Sequence, residues 1–118
     1  MDKHRWPKEI ATIEFTFDEW GAHGVAVFQK AHELKLYAGA TLQMTPEMNQ
    51  DGTKNYSARF CETLRAEHAD AICGNQTIKD IIFKSPNEFG IFLRYGGANT
   101  WLSLKDAHGK TLNDYCKY

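Results

Sequence analysis

The chain has 118 residues, the length of one domain, and can bury roughly two thirds of its unfolded surface without a metal or disulfide staple. Its hydrophobic fraction of 42% is ordinary for a folded protein and too high for a disordered one. With 14 basic residues against 15 acidic ones, no global field draws in nucleic acid or an anionic membrane surface.

Three cysteines, Cys61, Cys73 and Cys116, make an odd number with no C-x-x-C spacing, which points to reduced thiols and a cytoplasmic location. Residues 1–7 carry basic side chains with no apolar run behind them, so they do not read as a signal peptide. The longest uncharged stretch, residues 36–46, is far short of the ~20 apolar residues of a membrane span.

Residues 9–17 place Ala11, Ile13, Phe15 and Phe17 on one face and Ile10, Thr12, Glu14 and Thr16 on the other, the period-2 pattern of a half-buried strand. A glycine-bearing loop follows at 18–24. Residues 25–33 fit a strand better than a helix, since Gly21 and Gly24 would each weaken a first helical turn by about 1 kcal/mol. Residues 34–44 alternate most cleanly: Leu34, Leu36, Ala38, Ala40, Leu42 and Met44 face one way, so a long strand with even-numbered side chains inward is expected. Gly39 on the open face suggests a bend or bulge.

Thr45-Pro46-Glu47 has the form of a helix start but has room for little more than a turn. The main amphipathic helix is expected at about 55–73, with Ser57, Phe60, Leu64, His68 and Ala71 in one stripe and Gly74-Asn75 as its stop. The last third reads as a meander. Strands are expected at 77–84, 89–95, 100–105 and 110–114, joined by turns at 85–88, 96–99 and 106–109. The expectation is therefore a single α+β domain over 1–118: a mainly antiparallel sheet of about six or seven strands, with one long helix packed on one face.

No pattern carries a specific chemistry. The five histidines (His4, His23, His32, His68 and His108) are scattered without metal-ligand spacing, so no metal or cofactor is expected. None of the cysteines lies at a helix N-terminus, where a thiolate is favoured. Gly109-Lys110-Thr111 lacks the upstream glycine of a phosphate-binding loop. No catalytic residue is assigned.

The most suggestive feature is aromatic. Tyr37 belongs to the non-core face of the longest expected strand. Phe92 with Arg94, and Trp101 with Ser103 and Lys105, are candidates for the same open face. Aromatic and arginine anchors dominate protein recognition surfaces. The leading expectation is a non-catalytic module that binds a protein partner or a second copy of itself as a homodimer, in the manner of inhibitors, immunity proteins and adaptors, with Trp101 and Arg94 as anchors. The second is a pocket between sheet and helix for a small apolar ligand, using His68 or Tyr37. A histidine-based acid–base enzyme ranks last. Near-neutral charge argues against nucleic acid, and no membrane partner is expected.

Overall fold

The computed structural model describes residues 8–116; the basic segment 1–7 and the last two residues lie outside the described residues. A 3-10 turn, Lys8–Thr12, leads into β1 (Glu14–Glu19), β2 (Ala22–Lys30) and β3 (Glu33–Leu36), which pair antiparallel in sequence order. The fourth strand of this sheet, β6 (Ile81–Phe83), comes from much later in the chain and pairs antiparallel with β3.

Alternation sets the sheet's inner face. Phe15, Phe17, Ala26, Phe28, Leu34, Leu36, Ile81 and Phe83 are all buried. Large side chains of β1 lie opposite small ones of β2, as in the pairs Phe15↔Ala26 and Phe17↔Gly24. A side chain at Gly24 would press to 2.8 Å from Leu36 Cδ1 and 3.3 Å from Leu93 Cδ1, so this glycine makes room for the helix above. The outer face carries Glu14, Thr16, His23, Val25, Lys35, Tyr37 and Ile82, none of them fully buried.

Strand β2 covers most of the ambiguous segment 25–33, as the strand reading expected, but it begins at Ala22, and the expected loop at 18–24 shrinks to the Trp20-Gly21 turn. Residues 34–44 are extended only in part. Leu34, Leu36, Ala40 and Leu42 point inward, but Ala38 and Met44 are exposed. The break is at Gly39, whose φ of 95° turns the chain away from β3. Thr41 then bridges His23 of β2 on one side and Gln76 on the other.

The helical complement departs further from the sequence reading. Asn55 caps α1 (Tyr56–Glu67), its side chain accepting from Ala58 N at 2.8 Å. At 12 residues α1 is the longest of the four α-helices among the described residues, and it ends well before Cys73. The remainder forms a 3-10 turn and a separate two-stranded hairpin, β4 (Ile72–Cys73) with β5 (Gln76–Thr77). Gly74-Asn75 is therefore the hairpin's turn, not a helix stop.

The segment expected as a turn and a central strand is a helix, α2 (Pro86–Arg94). Ser85 accepts from Glu88 N at 3.2 Å, Pro86 occupies the first turn, and Phe89, Phe92 and Leu93 form the buried stripe. It is α2, not the 55–73 segment, that packs on the sheet, and α1 packs on α2. The strands expected at 100–105 and 110–114 are replaced by α3 (Thr100–Ser103) and α4 (Leu112–Cys116). Between them Lys105 stays extended and bridges Thr16 and Thr111. The result is an α+β arrangement with a four-stranded antiparallel sheet, a small hairpin and short helices, in place of six or seven strands and one long helix. No helix among the described residues is long and apolar enough to cross a membrane.

Candidate binding surface around Glu47

The tightest meeting of distant segments is at Glu47. Its backbone N–H donates to Tyr95 O at 2.9 Å, and its carbonyl accepts from Asn55 N at 3.1 Å. Its carboxylate accepts from Gly97 N at 2.9 Å and lies 3.6 Å from Arg94 Nη2. A side-chain hydrogen bond from Asn55, then the Gly97 N–H, then the Arg94 charge hold the Glu47 carboxyl below its ordinary 4.5. Gly96 is forced by this crowding: a Cβ there would come within 2.5 Å of Arg94 Nη1 and 2.6 Å of Glu47 Cβ.

Arg94 ends α2 with its side chain only 11% exposed. Its guanidinium carbon sits 4.3 Å above the centroid of the Trp20 ring. Trp20 itself is 59% exposed. It occupies the two-residue turn between β1 and β2, with φ of 59° followed by 75° at Gly21, the left-handed pair that matches strand twist. For a tryptophan this conformation costs roughly 1–2 kcal/mol. The Gln43 side-chain amide donates to Trp20 O and Gln43 N donates to Leu93 O, tying the turn to the end of α2. An exposed indole is thus held by its backbone, by a stacked arginine and by that arginine's carboxylate.

A second polar group backs this one. Tyr95, also left-handed at φ 62°, donates its hydroxyl to Glu62 Oε2 at 2.5 Å, and Lys54 Nζ donates to the same oxygen. Lys54 and the Tyr95 hydroxyl together lower the Glu62 carboxyl. Burial, then the Glu62 bond, raises the Tyr95 phenol. Four of the exposed large hydrophobic side chains (Trp20, Met44, Met48 and Tyr56) lie in or next to the residues of these two groups.

The residues singled out from sequence are dispersed. Tyr37 does lie on the outer side of the sheet, its N–H donating to Val25 O at 2.9 Å. Phe92 belongs to α2 and is wholly buried in the core, and Trp101 is half-buried in α3 against that core. Neither lies on a sheet strand. Arg94 leaves the sheet with them and stacks on Trp20 instead. His68 follows α1, its ring edge-on to Phe83 and Phe92 at 5.8 and 6.2 Å between centroids. It lines a groove of about 300 Å³ with Phe60, Leu64, Ile82, Glu67, Lys84 and Glu88. So His68 and Phe92 meet, at the edge of the core.

The sequence assigns neither Trp20 nor Glu47 a binding role, and it marks Gly96 only as part of a turn at 96–99. The Trp-Gly pair between two alternating segments was the available signal for the first, because a two-residue hairpin turn leaves its first side chain in solvent. Among the described residues no group of three or more His, Cys, Asp or Glu side chains could hold a metal. Burial pushes the thiols of Cys61 and Cys116 up to about 11, so neither is a thiolate at neutral pH. The chain matches no family, no curated protein and no solved structure.

Proposed function

We propose that this chain is a recognition module that grips a protein partner through the Trp20 platform, with Arg94 and Glu47 as its support. The observation that carries the reading is the combination at Trp20: a large, exposed aromatic held in a fixed pose by a stacked arginine that is itself ion-paired. Trp and Arg are the residue types over-represented among interface anchors, and a pre-ordered side chain loses little entropy on binding. The reading moves the working surface from the sheet face to the end of α2 and keeps Arg94 in it.

Site-specific photo-crosslinking tests it. A photoreactive phenylalanine at position 20 gives one discrete protein adduct, whose mass separates a second copy of this chain from a different protein. The same probe at the exposed Lys79 gives none. Identical adduct patterns from both positions, or no adduct from position 20, contradict the reading.

A further inference from the structure

Arg65, in the last turn of α1, is a cation without a carboxylate partner among the described residues. Its side chain crosses to the end of α2, where Nε and Nη2 donate to Phe92 O at 3.0 and 2.7 Å. Nη2 also donates to Gln43 O at 2.8 Å and lies 3.4 Å from Leu93 O. The Tyr95 ring covers one face of the guanidinium at 4.7 Å. None of the ion pairs among the described residues includes it.

The end of a helix offers about half a negative charge, so α2 offsets only part of this cation. The two N–H groups of Nη1 meet no oxygen among the described residues; their one contact is the weak acceptor Met44 Sδ at 3.9 Å. Met44 and Arg65 line a groove of about 220 Å³ with Leu42, Ala69, Ile72 and Gly74. A guanidinium nitrogen whose sole acceptor among the described residues is a thioether therefore borders an apolar groove.

We propose that this groove binds a small monocarboxylate with an apolar tail. The carboxylate would accept from Nη1, and the tail would lie along Leu42, Met44 and Ile72. A partly buried charge favours a charged partner, and charge-assisted bonds are the strong ones. One cation with no further basic residue in the lining suits a monoanion over a phosphate. The volume equals roughly seven waters at about 30 Å³ each, which fits an alkyl chain of about six carbons. The site is distinct from the Trp20 platform, and its test does not depend on that reading.

The probe is hexanoate, titrated against the ¹⁵N-labelled chain, with hexanol and hexylamine as controls. Hexanoate is expected to shift the Arg65 side-chain resonance and the amides of Met44 and Ile72 saturably, at least tenfold more tightly than either control. Met44 is 55% exposed, so substitution there spares the core. Met44→Glu sets a tethered carboxylate beside Nη1 and is expected to weaken hexanoate binding at least tenfold and to raise the melting temperature. Met44→Gln, with the same length and no charge, gives up apolar contact alone and is expected to weaken binding clearly less than Met44→Glu does. Three results overturn the proposal: hexanol binding as well as hexanoate, Met44→Glu binding hexanoate like the wild type, or shifts scattered over surface lysines instead of the groove. Preference for a peptide ending in leucine over hexanoate overturns the free-ligand assignment.

Discussion

Replacing Gly90 with alanine separates the observed fold from the one the sequence pattern suggests. Gly90 is buried in the middle of α2 and faces α3. An added Cβ would come 2.1 Å from Thr100 Oγ1, 3.3 Å from Ala98 Cβ and 3.4 Å from Thr100 Cβ. Thr100 is fully buried and its hydroxyl has no hydrogen-bond partner among the described residues, so it has nowhere wet to retreat. Alanine gains about 1 kcal/mol over glycine inside a helix. Overpacking a core costs about 1–3 kcal/mol, and a 2.1 Å approach belongs at the upper end. The expected net loss is about 1–2 kcal/mol, or a melting temperature lower by about 4–8 °C. Thr100→Ala removes the offending oxygen, a buried hydroxyl without a hydrogen-bond partner among the described residues, so it is expected to be near neutral. The double variant then regains the helix propensity and returns to wild-type stability or above. Urea unfolding of all four proteins, followed by far-UV circular dichroism, gives a coupling of about 2–3 kcal/mol between the sites, the overpacking that the second substitution relieves. A Gly90→Ala protein more stable than wild type, or a strictly additive cycle, refutes the packing of α3 against α2.

Three further outcomes follow from the local chemistry. A thiol reagent at neutral pH is expected to modify only the exposed Cys73 quickly; Cys61 and Cys116, buried and shifted to about 11, react only on unfolding, which stopped-flow absorbance resolves as one fast and two slow equivalents. Because the Glu47 carboxyl lies below its unfolded value in the fold, its contribution is complete above pH 4.5 and is lost as pH falls through the lowered value. Glu47→Gln is thus less stable than wild type at neutral pH, but loses less stability as the pH falls below 4.5 in an acid titration followed by fluorescence. Ser85→Ala removes the cap of α2 and is expected to cost about 1 kcal/mol in urea unfolding. An unchanged midpoint argues against a helix starting there.

How far the sequence could be read depended on how many periods each element offered. In β1 and β2, large or β-branched side chains alternate over enough residues for only one face to fit, and the antiparallel pairing follows from the short turns between them. The start of α1 was legible in Asn55, but its end was not, since the stripe through His68 and Ala71 continues past the last helical turn. The nine residues of α2 span two and a half turns. Over that length Phe89, Ile91, Leu93 and Tyr95 satisfy a period of two, while Phe89, Phe92 and Leu93 satisfy a helical stripe. Ser85-Pro86-Asn87-Glu88 serves equally as a turn or as a capped helix start. Misreading this one segment displaced Phe92 and Arg94 onto a sheet face, and the strand reading of 100–105 carried Trp101 with them. The Trp20 platform was hidden for a different reason: its aromatic, its arginine and its carboxylate come from three separate stretches, and only the tertiary structure brings them together. Arg65 was equally silent, because an arginine on an amphipathic helix ordinarily points to solvent.

An indole at position 20 that anchors a protein partner leaves a clear mark on affinity. With the crosslinked partner in hand, calorimetric titration of wild type and Trp20→Ala reads it. The substitution is expected to weaken the dissociation constant by about thirtyfold or more, corresponding to about 2 kcal/mol, with the melting temperature nearly unchanged because the ring is largely in solvent. Equal affinity of the two proteins for that partner, at equal stability, contradicts the anchoring role.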